Sequence, residues 1–138
     1  DLDNLFITPT LVDEPSINSK VMEDEIFGPI LPILSYSSEE KIEEIIQNYA
    51  KSLSLYIFSE DDKFSEKILK KYSFGGGAIN DVIIQIVNKK LPFAGVGNSG
   101  NGASHGKHSF DTFSNKKSIS TRGTRLDIHL RDEPDGDK

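Results

Sequence analysis

The amino-acid sequence predicts an α/β fold in which strands and helices alternate as βαβαβ around a parallel sheet. Three short apolar segments, at residues 30–36, 53–58 and 78–79, have the composition of strands, and both intervals between them place apolar residues at helical spacing. Strands that alternate with helices favour parallel pairing through right-handed crossovers. Ligands of such sheets bind beyond the carboxyl ends of the strands, so the residues that follow each strand are candidates for a site.

The chain opens with a candidate edge strand at residues 6–12, because Pro9 has no N–H to donate to a neighbouring strand. After the strand at 30–36, Ser37 and Glu40 form the pattern of a capping box, with Ser37 as the N-cap residue. The helix predicted there has an apolar side at Ile42, Ile45, Ile46 and Tyr49.

A second helix is predicted to begin within residues 59–62, after the strand at 53–58. Its apolar side consists of Phe64, Ile68, Leu69 and Tyr72. The glycine run at 75–77 is expected to end this helix. The third strand then leaves Asn80 and Asp81 at its carboxyl end.

Beyond these elements, Phe110 and Phe113 have the spacing of a buried stripe on a short helix, and residues 117–122 alternate as in a late strand. We therefore divide the chain into residues 1–115, residues 116–126, which contain this strand, and residues 127–138. That last stretch is acidic, and we expect a solvated tail.

Composition and charge limit the classes of function. A chain of 138 residues with 36% apolar content can bury one core, and a net charge of −6 argues against nucleic acid and anionic membranes as partners. The chain has no cysteine, which excludes disulfides and thiolate metal sites. No apolar run reaches the roughly eighteen residues of a membrane span, and no signal peptide opens the chain, so we expect a cytoplasmic location and no membrane anchor.

Residues 25–29, EIFGP, place a carboxylate and an aromatic ring two positions apart beside a rigid turn. In an extended segment Glu25 and Phe27 would point to the same side, where the carboxylate could accept hydrogen bonds from two hydroxyls and the ring could cover a flat heteroaromatic ring. Gly28 permits a positive φ, and Pro29 stiffens the turn. The pair would suit a nicotinamide riboside. The alternative is a solvated acidic turn that precedes a buried strand.

The second motif, residues 91–100, reads LPFAGVGNSG and contains the pattern G-x-G-x-x-G at 95–100. A dinucleotide fingerprint needs a preceding strand, a helix that opens inside the motif and an acid about 20 residues later. Pro92 lies just upstream, residues 101–102 prolong the flexible run, and the next acid is Asp111. We therefore interpret this stretch as a loop in which glycines permit close passage of the backbone.

These two motifs, with HGK at residues 105–107 and SFDTFS at 109–114, resemble the closing signature of the class 3 aldehyde dehydrogenases. The resemblance extends from about residue 5 to about residue 125. It implies that residues 1–115 are the C-terminal part of a catalytic domain and that residues 116–126 are an oligomerisation strand, which takes part in subunit contact. In that family an upstream cysteine attacks the aldehyde, hydride passes to NAD or NADP, and water hydrolyses the thioester. The chain holds no cysteine, so we expect no catalytic residue in it and no activity from it alone. Its first residue is Asp1, so we expect translation to begin upstream of it.

By the same resemblance, Glu25 and Phe27 bind the cofactor, while Phe93, His105 and Asn80 belong to the channel of the aldehyde substrate. The full-length enzyme would be an NAD(P)-dependent aldehyde dehydrogenase and a homo-oligomer. Ala94 stands where the family usually has glycine, and Ser104 stands where it has tyrosine, which would alter the loop path and widen the wall.

Each channel residue could instead have a purely structural role. Position 93 could be a core phenylalanine, position 105 a surface histidine, and position 80 an asparagine that satisfies the backbone at the end of the strand. The three histidines of the chain, at 105, 108 and 129, have no spacing that builds a four-ligand site, so no metal is expected. For the chain as a whole, two further functions stay open. One is a non-catalytic interaction or oligomerisation module, and the other is a stand-alone nucleotide-binding domain.

Overall fold

The computed structural model describes residues 3–125, so the tail predicted at 127–138 lies outside the described residues. The strands are β1 (Thr10–Asp13), β2 (Ile30–Ile33), β3 (Ser54–Ile57), β4 (Gly76–Ile79), β5 (Phe93–Ala94) and β6 (Ala103–Ser104). The helices are α1 (Glu39–Gln47), α2 (Asp62–Lys71), α3 (Ile84–Val87) and α4 (Gly106–Phe113), and 3-10 turns occupy Lys20–Met22 and Gly97–Ser99.

The α/β class and the parallel pairing of strands are both confirmed. β1 pairs with β2 in parallel, and β3 pairs with β4 in parallel across α2, with Ser54 opposite Gly76. The prediction of one continuous sheet is wrong for the described residues, which form three two-stranded sheets. Strands that follow one another in sequence often pair, but not always. Here β2 pairs with the opening strand β1 and not with β3.

The opening strand is shorter than predicted and begins at Thr10, immediately after Pro9. The backbone N–H of Thr10 donates to the carbonyl of Pro29 over 2.8 Å, which starts the pairing with β2. Proline has no such N–H to give, so the ladder cannot extend through position 9.

Both long helices are capped by local side chains, and the first cap lies one residue later than predicted. Ser38, not Ser37, is the N-cap residue of α1, and its hydroxyl accepts from the N–H of Lys41 over 3.4 Å. Asp61 caps α2 by accepting from the N–H groups of Lys63 and Phe64. These bonds satisfy donors that the first helical turn leaves open.

The glycine run at 75–77 does not end α2, which stops at Lys71 with Tyr72 in an extended conformation. Gly76 and Gly77 belong to β4 instead. A Cβ at Gly75 would lie 2.0 Å from the carbonyl oxygen of Ala94, and one at Gly77 would lie 2.2 Å from that of Leu55. At positions 75 and 77 neighbouring backbone passes too close for a side chain, which requires glycine there.

Little of the described chain is buried. Ile57 and Ile68 are each 6% exposed, and they are its only apolar side chains in the buried class. In contrast, Leu11 and Phe58 are 69% and 67% exposed. The expectation of one well-buried core is therefore not met by this chain, because its apolar faces lack covering elements among the described residues. None of the described helices is long and apolar enough to cross a bilayer.

The C-terminal elements differ from prediction in burial and in pairing. α4 forms as a helix, but Phe110 and Phe113 are 71% and 89% exposed, so the predicted buried stripe is wrong. The helix instead contacts the β5–β6 hairpin through Thr112, whose hydroxyl donates to the carbonyl of Ala103 over 2.7 Å. Residues 117–122 are not a strand in the described chain, and Ile119 is 80% exposed.

Candidate functional site

The Glu25–Phe27 segment lies between the first 3-10 turn and β2, and its backbone is not the extended segment in which the two side chains would point to the same side. Phe27 has φ = +45°, in the left-handed region, and its side chain is 91% exposed. Gly28 would permit a positive φ, but the positive φ lies at Phe27. Pro29 favours an extended conformation in the residue before it, which is Gly28. The alternation of side chains along a strand therefore does not describe how Glu25 and Phe27 are placed.

Two predicted channel residues, Phe93 and His105, are brought together by a hairpin. β5 and β6 pair antiparallel, with Phe93 opposite Ser104, and the Phe93 and His105 rings stack at 5.7 Å between centroids with 24° between their planes. His105 has φ = +80° and immediately precedes α4. Its Nδ1 atom is buried and has no hydrogen-bond partner among the described residues. Phe93 and His105 were predicted as separate channel residues, whereas in the structure their rings form one aromatic surface.

The glycines of the motif lie in the loop that joins the two strands of this hairpin. The Ser99 hydroxyl accepts from the N–H of Val96 over 2.7 Å and donates to the Val96 carbonyl over 3.0 Å. A Cβ at Gly95 would lie 2.1 Å from the Ser99 carbonyl oxygen. The motif contains the 3-10 turn Gly97–Ser99, and the first α-helix after it begins at Gly106, so no α-helix opens inside the motif. The arrangement matches the interpretation of a close-packed loop, and it lacks the strand–turn–helix geometry of a dinucleotide fingerprint.

Ala94 and Ser104, the two residues that depart from the family pattern, both lie in the strands of this hairpin. Ala94 pairs with Ala103, and the Ser104 hydroxyl donates to the carbonyl of Phe93 over 3.3 Å. The serine thus ties the two strands together beside the aromatic pair. A tyrosine at this position would extend well beyond the strand, so the small side chain leaves more room next to His105.

Asn80 lies at the carboxyl end of β4, as predicted, with its amide engaged by the chain itself. The Oδ1 atom accepts from the N–H of Ser59 over 2.8 Å, and Nδ2 donates to the Ser59 carbonyl over 2.9 Å. Asn80 has φ = +54°, a conformation that asparagine tolerates better than most residues. Of the two alternatives for Asn80, this geometry favours the one in which its side chain satisfies the backbone at the end of the strand.

One polar contact between β3 and α3 was not predicted from the sequence. Gln85 on α3 donates from Nε2 to the hydroxyl of Tyr56 on β3 over 2.9 Å, in a part-buried position. Hydrogen bonds from the side chains of Gln85 and Ser54, and from the backbone of Ile83, lower the pKa of Tyr56 because they stabilise the phenolate. The short helix α3 was not predicted either, and the two side chains are 29 residues apart.

Comparison with known proteins shows which family the chain is similar to. The family model for aldehyde dehydrogenases matches residues 1–119. A 4,4'-diaponeurosporen-aldehyde dehydrogenase from Staphylococcus aureus is 50% identical over 132 residues, which cover 94% of this chain and 29% of the relative. Aldehyde dehydrogenase family 3 member A2 of Rattus norvegicus is 46% identical over 120 residues, covering 87% of this chain and 25% of the relative.

Solved structures give the same result. A substrate-bound AldH from Staphylococcus aureus superposes with a TM-score of 0.84 at 49% identity, covering 95% of this chain and 29% of that one. An NAD+ complex of a Mycobacterium tuberculosis aldehyde dehydrogenase superposes with a TM-score of 0.68 at 30% identity, covering 78% and 22%. The chain thus spans less than a third of these relatives. With a family model matched over residues 1–119, the chain belongs to the aldehyde dehydrogenase family.

Proposed function

We propose that this chain is the C-terminal part of the catalytic domain of an NAD(P)-dependent aldehyde dehydrogenase that oxidises aldehydes to carboxylic acids. In the complete subunit Glu25 and Phe27 position the nicotinamide riboside. Phe93 and His105 border the aldehyde channel, and Asn80 supports it from the end of β4. The nucleophilic cysteine lies in the remainder of the subunit, and residues 116–126 contribute to contact between subunits of a homo-oligomer.

The observation that carries the proposal is the conformation of Phe27. A phenylalanine with positive φ costs roughly 1–2 kcal/mol relative to ordinary backbone, and here its ring is 91% exposed. Neither feature stabilises the described chain. A strained backbone that presents an apolar ring to solvent is explained if the ring is covered by a ligand or by the rest of the subunit.

The available groups fit the nicotinamide riboside. Glu25 is exposed and makes no hydrogen bond or ion pair within the described part of the chain, so both carboxylate oxygens are open to ribose hydroxyls. Phe27 offers a flat ring face of suitable size. The cofactor, when bound, accepts the hydride. The two side chains orient the ring that receives it and exclude water from one side, and they exchange no proton or electron.

The test replaces Glu25 with glutamine in the complete subunit. Glu25→Gln keeps the shape of the side chain and removes its charge, and charge-assisted hydrogen bonds contribute about 1.5–3 kcal/mol, or roughly a tenfold to hundredfold effect. Because the contact orients one end of the dinucleotide, we expect most of the loss in kcat and a larger kinetic isotope effect with deuterated aldehyde. Affinity for the dinucleotide should change less.

Glu23→Gln is the matched control, because Glu23 is an exposed carboxylate in the same acidic run. It removes the same charge and should leave kcat, the isotope effect and cofactor affinity near wild type. Equal effects of Glu23→Gln and Glu25→Gln, or no effect of either in folded enzyme, would favour the solvated acidic turn.

A further inference from the structure

The segment at residues 80–91, which follows β4 and contains α3, holds an unusual backbone conformation. Ile83 has φ = +66°, in the left-handed region, where a β-branched residue is a genuine outlier. Its side chain is 56% exposed, and Ile84 and Val87 are 53% and 67% exposed. Apolar packing within the described chain therefore does not account for this conformation, and another interaction has to hold it.

Tyr56 supplies that interaction from the neighbouring strand. Its hydroxyl accepts a hydrogen bond from Gln85 Nε2 at 2.9 Å, and Gln85 lies two residues after Ile83. Gln85 Cγ lies 3.6 Å from the Cβ position built on Gly76, so the glutamine side chain passes over β4. One phenol oxygen thus holds the first turn of α3, which begins next to the strained residue.

The far end of the segment contacts the hairpin that carries the aromatic pair. The Lys89 carbonyl oxygen lies 3.2 Å from the Cβ position built on Gly106, the residue after His105. His105 in turn stacks on Phe93. A shift of the 80–91 segment would therefore press on, or withdraw from, the turn that orients the histidine ring.

We propose that Tyr56 and Gln85 are positioning residues, which hold the 80–91 segment against the Phe93–His105 pair and thereby set the width of the aldehyde entrance. The proposal rests on the proposed function of Phe93 and His105. Among the exposed side chains of the segment, Ile83, Ile84 and Val87 are apolar, and the part of an aldehyde that can contact them is a hydrocarbon chain. Neither positioning residue contacts the reacting carbonyl.

The test uses Tyr56→Phe, Gln85→Met and the double variant in the complete subunit, with decanal and acetaldehyde as substrates. Loss of one hydrogen bond corresponds to an increase of about three- to tenfold in KM for decanal, with kcat within about twofold and little change for acetaldehyde or cofactor. The double variant should be no worse than the single variants, because the two residues act through one bond. Tyr36→Phe is the control, since Tyr36 is 56% exposed.

Hydrogen exchange of the backbone gives a readout that does not depend on activity. Tyr56→Phe should speed exchange of the amides at residues 83–87, while Tyr36→Phe should leave them as in wild type. Unchanged exchange there, or equal changes of KM for decanal, acetaldehyde and cofactor, would overturn the proposal. If the wild-type enzyme oxidises no aldehyde, the proposed function fails, and the exchange result alone then decides whether Tyr56 anchors the segment.

Discussion

Replacing Phe27 with glycine separates the stability of the chain from its function. Glycine adopts positive φ without steric cost, so Phe27→Gly relieves the strain of φ = +45° and removes the ring that we propose covers the nicotinamide. Most substitutions that abolish a function also destabilise the fold. This one is expected to reduce activity while leaving the stability of the protein unchanged or higher.

The magnitudes follow from the exposed position of the ring. Relief of the left-handed backbone contributes roughly 1–2 kcal/mol, and the greater chain entropy of glycine costs about 0.5–1 kcal/mol, so the net change is about zero to +1.5 kcal/mol. Burial lost by removing a side chain that is already 91% exposed adds little. Loss of an aromatic contact worth about 0.5–1.5 kcal/mol lowers the cofactor kcat/KM by roughly two- to tenfold.

The assay compares thermal unfolding midpoints without cofactor with kcat/KM for NAD and NADP in the complete subunit. Leu5→Gly is the matched control, because Leu5 also has a positive φ, at +52°, and is also 91% exposed. In the control, the unfolding midpoint should likewise stay constant or rise, and kcat/KM for both cofactors should be unchanged. A fall in midpoint for Phe27→Gly without a fall for Leu5→Gly would refute the reasoning, since the ring would then stabilise the fold.

Three further predictions concern the chain and its turns. The isolated 138-residue chain should oxidise no aldehyde with either nicotinamide cofactor; turnover that scales with this polypeptide through repurification would contradict the proposal. Gly95→Ala should lower the unfolding midpoint more than Gly97→Ala, because a Cβ at Gly95 meets the Ser99 carbonyl oxygen at 2.1 Å whereas Gly97 has open space and only a positive φ. Neither should selectively weaken ADP binding measured by calorimetry. Asn80→Ala should cost about 1–3 kcal/mol in chemical denaturation by breaking both bonds to Ser59, and Asn80→Gly, which retains the positive φ, should cost less than Asn80→Ala.

Local signals determined the helices. α1 and α2 were predictable because the side chains that cap them and the apolar residues that repeat along them lie within a few positions of one another. The first cap differed by a single residue, Ser38 for Ser37, because two adjacent serines offer the same hydroxyl. The motifs at residues 25–29 and 91–100 likewise pointed to the family from sequence alone.

Tertiary structure decided what depends on residues distant along the chain. No spacing rule connects Asn80 to Ser59, Tyr56 to Gln85, or the Phe93 ring to that of His105, since each pair meets only after strands have paired. Burial also depends on distant residues. The apolar spacing of Phe110 and Phe113 correctly indicated a helix, but it did not indicate whether that face of the helix is buried. A periodic pattern specifies which side of an element is apolar, whereas burial requires another element to cover that side.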